Sequence, residues 1–372
     1  MQIVAVNTGS SSLRIGAFMF TGDQLLQRRD WHLDQANAQW PSALCEDREP
    51  DWVVHRWVHS GGRFDAPIEL GGHLELLESL LPLAPLHNPK ALDAIRTSMR
   101  LFPRARQLVV PDSGFFRDLP AVARRLPLSE ALCRRHGLSR IGFHGIAHQY
   151  LSETWHLHNP RPPGAPPSRI VTLQLGSGCS VTALRDGAPI ETSMGFSPWS
   201  GVVMSSRPGD LDPGVLIHLL RHTGMNADQL EATLRESSGL RGVSGSSGDM
   251  KTLLKTGNDE AASMAVELFL HALNQRVGAY VHLLQGVDGV AFGGGIGEHS
   301  SEIRRRILEP MRWLGVEWDE STHTASLRAP TRISTPASQV AVWVVPVDEA
   351  RLLAIAALQQ DQLHPPKPSA TR

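Results

Sequence analysis

The same local pattern occurs twice in this chain, about half a chain length apart. Residues 3–6 form a short apolar run that ends in the polar turn 7–12 and resumes as an alternating segment at 13–18. Residues 170–175 lead in the same way into the Gly-Ser-Gly-Cys-Ser turn 176–180, and then into 181–184. Period-two alternation around Gly and Ser predicts strand, tight turn and strand in both places. A unit that opens each half of the chain predicts a duplicated fold.

Strands and helices alternate along the rest of the sequence. The apolar spacing predicts helices at residues 89–101, 214–222, 260–284 and 301–308, and a last helix that follows residue 349 and ends near 360. Apolar runs predict buried strands at 108–110, 287–292 and 340–345. Asp186-Gly187 after the second repeat predicts a hairpin turn. The alternation is typical of an α/β protein, and 372 residues are enough for two or three domains.

The charge balance argues against several classes of partner. The chain has 36 Lys and Arg against 37 Asp and Glu, so its formal net charge is −1. It therefore lacks the excess of basic residues that is typical of proteins that bind nucleic acid, or that bind a membrane surface through a polybasic segment. The four lysines do not follow glycine, which excludes the G-x-x-x-x-G-K-[ST] phosphate-binding loop.

The cysteines and the apolar segments indicate the compartment. Cys45, Cys133 and Cys179 are scattered, odd in number and without C-x-x-C spacing, which disfavours a disulfide framework and a thiolate zinc site. The first residues lack the pattern of a signal peptide. No window approaches the roughly 18 uninterrupted apolar residues of a membrane span. We therefore expect a reduced, cytoplasmic protein.

Three turns rich in glycine and serine follow predicted strands, at residues 7–12, 176–180 and 293–297. Such turns expose several backbone N–H groups and hydroxyls in a small space, which suits a phosphate group. Three of them at strand carboxyl ends, where α/β proteins collect ligands, favour a phosphate site. The third is not a dinucleotide fingerprint, because Glu298 or Ser300 stands where its last glycine is required.

Acidic residues also follow predicted strands. Asp112 follows one buried strand, and Asp348 and Glu349 follow another. Carboxylate oxygens beside a phosphate site are ligands that Mg²⁺ prefers. An acid in this position can instead cap the next helix, and for Asp348 the two interpretations are equally good. Asp210 and Asp212 lie between proline and glycine residues and are interpreted as turn and cap residues.

Two histidines and two arginines are candidates for direct contact with a ligand. His144 and His148 have the i, i+4 spacing of zinc ligands, but no third ligand is evident and Gly145 weakens the helix. His144 lies between Gly142-Phe143 and Gly145, and this position favours the interpretation of His144 as a hydrogen-bonding residue in an active-site loop. Arg56 and Arg207 lie near small residues, and a guanidinium is the natural donor to carboxylate and phosphoryl oxygens.

Together these segments resemble the acetate kinase family, the acetate/propionate kinases. The match runs in the family's order over nearly the whole chain, and its most specific stretches are residues 83–89, 142–145, 207–213 and 294–298. The resemblance implies an α/β fold of the acetate and sugar kinase/heat-shock/actin superfamily, with duplicated ribonuclease-H-like domains that flank a central cleft. We expect an N-terminal domain over 1–116, completed by a C-terminal helix at 350–372, and a nucleotide-binding domain over 117–349.

The resemblance also implies a reaction, in which the γ-phosphoryl group of ATP is transferred reversibly to acetate with Mg²⁺ or Mn²⁺. The implied catalytic residues are Arg56, His87, Asp112, His144 and Arg207. Arg56 and Arg207 would bind the acid's carboxylate and steady the transferring phosphoryl group. The pocket for the methyl group of acetate would consist of Val58, Leu86, Phe143 and Pro198. The implied metal ligands are Asn7, Asp112 and Glu349. The implied nucleotide contacts are Ser10, Ser12, Arg14, Gly176, Ser177, Gly178, Asp249, Lys251, Gly294, Gly295 and Gly297.

The departures from the family pattern lie on the side of the phosphoryl donor. The family's His-Leu-Gly-Asn-Gly turn is Gln-Leu-Gly-Ser-Gly at 174–178, and its Asp-Thr-Ala-Phe-His is Asp-Ser-Gly-Phe-Phe at 112–116. Arg14 replaces a lysine, and His299 replaces an asparagine. The acid pocket keeps the family's residue types, which favours an acid of two or three carbons.

Several alternatives stay open at this point. The donor is ATP, GTP or pyrophosphate, and the acid is acetate, propionate or butyrate. A non-catalytic nucleotide-binding homologue is an alternative from another class, although it would not need the whole set of transfer residues. By resemblance we expect a homodimer that binds a small carboxylic acid and a nucleotide, with no nucleic-acid or membrane partner.

Overall fold

The structure is a computed structural model, and it describes residues 1–9, 12–34, 40–41, 44, 48–325 and 327–363. The chain divides into two compact units. Unit 1 is Met1–Arg117 together with the segment that begins at Asp348, and unit 2 is Asp118–Val347. Of the helices in these described residues, none combines the length and the apolar character that a membrane-spanning segment needs.

Each unit contributes half of the strands. In chain order they are β1 (Gln2–Thr8), β2 (Ser12–Thr21), β3 (Gln24–Asp34), β4 (Trp52–Trp57), β5 (Ile68–Glu69), β6 (Arg106–Pro111), β7 (Arg169–Leu175), β8 (Cys179–Arg185), β9 (Ala188–Thr192), β10 (Gly289–Gly293), β11 (Thr331–Arg332) and β12 (Ala341–Val344). The predicted strand–turn–strand units are thus β1–β2 and β7–β8.

Helices are the other regular element of the described chain. In chain order they are α1 (Leu74–Ser79), α2 (Asn88–Leu101), α3 (Ala121–Arg124), α4 (Glu130–His136), α5 (Gly145–His158), α6 (Pro213–His222), α7 (Ala227–Glu236), α8 (Gly239–Ser244), α9 (Met250–Lys255), α10 (Glu260–Leu284), α11 (Gly294–His299), α12 (Ser301–Leu308), α13 (Glu320–Thr324) and α14 (Glu349–Leu363). Short 3-10 helices span Leu81–Leu83, Asp112–Phe116 and Glu309–Leu314.

The two sheets have the same topology. In unit 1 the strand order is β3-β2-β1-β4-β6-β5, with β1, β2 and β3 antiparallel and β1, β4 and β6 parallel. In unit 2 the order is β9-β8-β7-β10-β12-β11, with the same antiparallel and parallel halves. In each sheet the last strand pairs antiparallel with its neighbour. The predicted α/β class and the predicted duplication are confirmed.

The apolar pattern of the sequence accounts for the buried strands. Ile3, Val4, Ala5 and Val6 of β1 are fully buried, as expected for a central strand that is covered on both faces. α2 buries Ala91, Leu92 and Ile95 in a cluster with residues of β4 and β6. The hairpin predicted after β8 is also present, because Asp186 and Gly187 both have positive φ, as a type I′ turn requires.

One predicted turn is a helix instead. β10 runs directly into α11 at residues 293–294, where a glycine-rich turn was expected. Gly294 has φ +75°, and a Cβ atom there would lie 2.5 Å from the carbonyl oxygen of Leu175. The glycine therefore permits a tight passage from strand to helix beside β7. The sequence pattern did not distinguish this junction from an open turn.

Candidate functional site

Polar side chains meet at the carboxyl edge of the parallel strands of unit 1. Asn7 lies near the end of β1, Arg56 near the end of β4, and Asp112 directly after β6. Since β1, β4 and β6 pair in parallel, these ends lie side by side. Glu349 begins α14, which packs on the same sheet. Four of the predicted site residues are therefore brought together within one unit.

Arg56 is at the centre of this group. Its Nη2 donates to Asp112 Oδ2 at 2.8 Å, and its Nη1 donates to Asn7 Oδ1 at 3.2 Å. Nη1 also lies 3.5 Å from Glu349 Oε2, which accepts a hydrogen bond from the Asn7 amide. Burial by itself lowers the pKa of Arg56, but Asp112 and Glu349 raise it, and their effect is the larger. The guanidinium is therefore held, charged, between two carboxylates.

The oxygen atoms of this group match the ligand preference of Mg²⁺. Asp112 and Glu349 supply two carboxylates, and Asn7 supplies an amide oxygen. Mg²⁺ at phosphoryl-transfer sites is typically held by one or two carboxylates, with water and substrate phosphates as its other ligands. The part of the chain that the structure describes contains no group of three or more His, Cys, Asp or Glu residues that could hold a metal ion. The donor set thus fits an ion that also binds phosphate.

Buried hydrogen bonds connect the two loops of unit 1 that carry other predicted site residues. Asn88 donates from Nδ2 to the carbonyl oxygen of His59 at 3.1 Å and accepts from the His59 N–H at 3.3 Å. These contacts hold the loop of Val58 to that of Leu86 and His87. Val58 is buried, whereas Leu86 and His87 are half-buried. Asn88 lies inside a motif that the sequence singled out, but its connecting role was not predicted.

In unit 2, Arg207 and His144 approach Gly178 in the turn that follows β7. A Cβ atom on Gly178 would lie 2.5 Å from Arg207 Nη2 and 3.3 Å from His144 Nε2. Any side chain at this position would therefore displace the guanidinium or the ring. Phe143, which precedes His144, is buried, and Pro198 is half-buried. Two predicted catalytic residues and one predicted phosphate contact are thus neighbours.

The charge of Arg207 is not balanced by a carboxylate in the described residues. Its Nη1 donates to the carbonyl oxygen of Pro198 at 2.5 Å. Burial lowers its pKa, and only the Cys179 thiol acts in the opposite direction. A mostly buried cation without an acidic partner is costly unless an anion binds to it. Arg207 therefore differs from Arg56, which has two carboxylates beside it.

His144 and His148 are joined by a serine that the sequence analysis did not identify. Ser180 Oγ lies 2.8 Å from His144 Nδ1 and 2.8 Å from His148 Nε2. The other ring nitrogen of His148 lies 2.7 Å from Thr172 Oγ1. Because hydroxyls contact both nitrogens of His148, the i, i+4 spacing serves a hydrogen-bond network rather than zinc. The necessary signal was the register of β7 against β8, which a single sequence does not reveal.

A pocket of about 830 Å³ lies beside the same turn in unit 2. This volume is typical of a small-molecule site, for which about 300–1,000 Å³ is usual. Five predicted nucleotide residues line it, namely Gly176, Ser177, Asp249, Lys251 and Gly295. The lining also includes cationic or titratable residues without a predicted role, namely Arg241, Lys255 and His299. The pocket therefore presents positive side chains around a glycine- and serine-rich turn.

Some predicted nucleotide residues have structural contacts. Asp249 caps α9, since its carboxylate accepts from Thr252 N at 2.9 Å and from Thr252 Oγ1 at 2.7 Å. These bonds lower the pKa of Asp249. Gly294 and Gly297 pack against β7 and β10 and are not part of the pocket lining. Close packing is sufficient to explain the glycine at Gly294, whereas a Cβ atom at Gly297 would meet its neighbours at ordinary distances of 3.5 Å or more.

Residues of the first turn lie in unit 1. Arg14 on β2 is exposed and stands directly opposite Asn7 in the β1–β2 register. Ser12 begins β2, and its carbonyl oxygen accepts from Gly9 N at 2.8 Å. Ser10 lies outside the described residues. Arg14 is therefore placed at the edge of the Arg56 group.

The other acids that follow strands or turns are structural. Asp348 Oδ1 accepts from Arg351 N at 3.1 Å at the start of α14, and its carboxylate pairs with Arg28. The capping interpretation of Asp348 is thus confirmed. Asp212 caps α6, and Asp210 accepts from Gly201 N at 2.7 Å. Their predicted turn and cap roles are also confirmed.

Comparisons with known proteins agree with this geometry. A family model described as the Acetokinase family matches residues 40–356. The acetate kinase of Rhodopseudomonas palustris is 40% identical over 316 residues, which are 85% of this chain and 78% of that protein. The acetate kinase structure of Porphyromonas gingivalis has a TM-score of 0.84 at 29% identity and covers 96% of this chain and 99% of its own. A propionate kinase structure from Francisella tularensis has a TM-score of 0.83 at 27% identity, with 95% and 98% covered.

Proposed function

The chain belongs to the acetokinase family, and on that premise we propose that it transfers the γ-phosphoryl group of ATP reversibly to acetate, forming acetyl phosphate and ADP. The observation that carries the proposal is the pair of Arg207 and His144 over Gly178, beside a nucleotide-sized pocket. The mostly buried guanidinium needs an anion, and a phosphoryl group provides one. Phosphoryl transfer requires little covalent chemistry from the protein, so positioning and charge neutralisation are the main tasks.

We assign binding of the acid to Arg56 and to a small apolar pocket. Arg56 is fixed by Asp112 at 2.8 Å, so its remaining N–H groups have a defined direction. A bidentate guanidinium is well suited to a carboxylate. The proposed pocket for the methyl group consists of Val58, Leu86, Phe143 and Pro198. These are the residue types that the family uses, which favours an acid of two or three carbons.

We assign phosphoryl contacts to His87, His144 and Arg207, and the metal to Asn7, Asp112 and Glu349. Bound Mg²⁺ would neutralise phosphate charge and orient the phosphate oxygens. The carboxylates also keep Arg56 charged and in place. Arg207 would bind the transferring group most strongly as its charge spreads over three oxygens, which lowers the barrier.

The pocket favours a nucleotide over pyrophosphate as the phosphoryl donor. Pyrophosphate would need only a site for two phosphate groups. The cavity is larger than such a site, because its lining includes Asp249 and Lys251 as well as Gly176 and Ser177. Its volume of about 830 Å³ has room for a nucleoside. The proposed nucleotide contacts are the predicted residues of the first turn, of 176–178 and of the pocket wall.

We further propose a homodimer that works in the cytoplasm, where ATP is regenerated. Exposed apolar side chains on α6 support self-association, because Ile217 and Leu220 are neighbours on the helix surface and each is more than 40% exposed. Such clusters often mark protein–protein contacts. Sedimentation of the wild-type chain and of Ile217→Glu tests this proposal. A monomeric wild type contradicts it.

The proposed activity is tested by a hydroxamate assay for acyl phosphate. Acetate, propionate and butyrate are each combined with ATP, GTP and pyrophosphate in the presence of Mg²⁺. We expect the highest kcat/KM with acetate and ATP. A preference for propionate would instead place the chain with proteins such as the Francisella propionate kinase. If no combination gives acyl phosphate above the Arg207→Ala background, the proposed function is wrong.

A further inference from the structure

A line of buried polar side chains runs through unit 2 to His144. Thr172 on β7, His148 on α5 and Ser180 on β8 are all 0% exposed. Nδ1 of His148 lies 2.7 Å from Thr172 Oγ1, and its Nε2 lies 2.8 Å from Ser180 Oγ. The same hydroxyl lies 2.8 Å from Nδ1 of His144. Ser180 thus connects a core histidine to a proposed catalytic one.

This line is surrounded by an apolar core. Ile170, which shares the face of β7 with Thr172, and Leu151, which lies one turn after His148 on α5, are fully buried. Burial of hydroxyl and imidazole groups costs free energy that their hydrogen bonds only offset. Apolar side chains of similar shape would fill the same space without this cost. The polar line therefore indicates a role beyond packing.

The hydrogens along the line all point in one direction. A serine hydroxyl has a single hydrogen, and within the described residues the two ring nitrogens are the only acceptors that Ser180 Oγ contacts. Ser180 therefore donates to one histidine and can accept from the other. The direction is set at Thr172, whose hydrogen can go to His148 Nδ1 at 2.7 Å or to the carbonyl oxygen of Thr182 at 3.5 Å. The second distance is too long for a strong bond. Thr172 therefore donates to His148.

This direction decides the tautomer of His144. His148, with its hydrogen on Nε2, donates to Ser180, and Ser180 then donates to Nδ1 of His144. A neutral imidazole that accepts at Nδ1 carries its own hydrogen on Nε2. Nε2 is the nitrogen beside Gly178 and Arg207. An N–H at that position is the group that can donate to a phosphoryl oxygen.

We propose that Ser180 and His148 are positioning residues that keep the hydrogen of neutral His144 on Nε2, directed at the transferring phosphoryl group. The last part of this statement rests on the proposed function, whereas the tautomer does not. The two parts are therefore tested by separate measurements.

The tautomer is measured by ¹⁵N NMR on the full-length protein with ring-labelled histidine, without substrates and at a pH where the ring is neutral. The His144 signals are identified by their loss in His144→Gln. We expect a hydrogen on Nε2 in the wild type and a mixture of both tautomers in Ser180→Ala. A wild-type hydrogen on Nδ1, or an unchanged tautomer in Ser180→Ala, overturns the proposal.

Kinetics supply the second readout. We expect kcat to fall about tenfold or more in Ser180→Ala and His148→Leu, while KM for acid and nucleotide stays within roughly twofold. His148→Gln keeps a donor near Ser180 and should recover part of kcat. If Ser180→Ala does not fold, the comparison of His148→Leu with His148→Gln takes its place.

The matched control is Thr182→Val. Thr182 is also on β8 and fully buried, but its hydroxyl contacts Thr192 Oγ1 at 3.0 Å and is not part of the line. This variant should keep the wild-type kcat, and equal losses in it and in Ser180→Ala would overturn the proposal. An inactive wild type would contradict the proposed function but would leave the NMR result intact. An active wild type with unchanged His144 in Ser180→Ala contradicts the positioning role alone.

Discussion

Arg56 donates to Asp112 at 2.8 Å, and the Asp112 carboxylate is completely buried. A buried ion pair contributes little net stability, but removal of one partner leaves the other charge uncompensated. Arg207 has no such partner in the described residues, and burial lowers its pKa. Arg56 is therefore ready to bind before a ligand arrives, whereas Arg207 gains its counter-charge from the ligand.

The first prediction concerns Asp112→Asn. The amide keeps the shape of the side chain but removes the charge that fixes Arg56 and that suits a metal ion. We expect kcat to fall about 100-fold or more, as is typical when one preorganised electrostatic contact is lost. The Mg²⁺ concentration needed for half-maximal rate should also rise. Steady-state assays with a Mg²⁺ titration measure both effects.

The control for this variant is Asp288→Asn. Asp288 pairs with Arg169 at 2.6 Å at the amino ends of β7 and β10, away from the proposed catalytic groups. This variant loses an ion pair of the same type and should keep kcat within roughly twofold. Similar losses in both variants would show that Asp112 acts through stability alone.

A second prediction follows from the close approach at Gly178. In Gly178→Ala the new methyl would lie 2.5 Å from Arg207 Nη2, so the guanidinium must move. We expect kcat to fall about tenfold or more, with little change in melting temperature. Gly278→Ala on α10, where a Cβ meets open space, is the control and should be fully active. A fully active Gly178→Ala would show that Arg207 does not contact the transferring phosphoryl group.

The third prediction distinguishes the phosphoryl donors. Lys251 lines the pocket together with Gly176 and Ser177, so Lys251→Ala should weaken nucleotide binding without affecting the acid. We expect KM for ATP to rise about tenfold, which corresponds to roughly 1.4 kcal/mol. KM for acetate should not change, and any rate with pyrophosphate should be insensitive. An unchanged KM for ATP would show that Lys251 is not part of the nucleotide site.

Local signals in the sequence were sufficient for most of the fold. The helix predicted at 260–284 is α10 with the same bounds, because Asp259 caps its first turn and the apolar spacing is regular. The repeated strand–turn–strand units were recognisable because glycine and serine interrupt runs of β-branched residues. The segment at 293–297 was predicted incorrectly as a turn, because glycine is compatible with both a turn and a tight strand-to-helix junction.

The site was only partly predictable for a different reason. Asp112 and Glu349 could be selected because they follow predicted buried strands, and Arg56 because its guanidinium lies near small residues. Ser180 could not, because its role arises from the β7–β8 register and from the packing of α5 against both strands. Contacts between residues distant in sequence leave no local pattern.

The last prediction concerns the buried histidine on β4. His55 is 1% exposed, its Nε2 lies 3.0 Å from Gln107 Oε1, and its Nδ1 is without a hydrogen-bond partner in the described residues. Burial lowers its pKa from 6.5 to about 4, and the bond to Gln107 opposes this only weakly. The unfolded chain therefore binds a proton below pH 6.5, whereas the folded chain does not bind one until about pH 4. The contribution of neutral His55 to the free energy of unfolding is therefore complete above pH 6.5 and is lost as the pH falls toward 4.

The size of this effect follows from the shift. Between pH 7.5 and 5 the contribution should fall by roughly 2 kcal/mol, since each pKa unit corresponds to about 1.4 kcal/mol. Urea unfolding at both pH values measures it, with His55→Gln as the comparison that removes this titration alone. We expect the stability difference between wild type and variant to shrink by that amount at pH 5. Parallel pH profiles of the two proteins would show that His55 is not held neutral in the folded state.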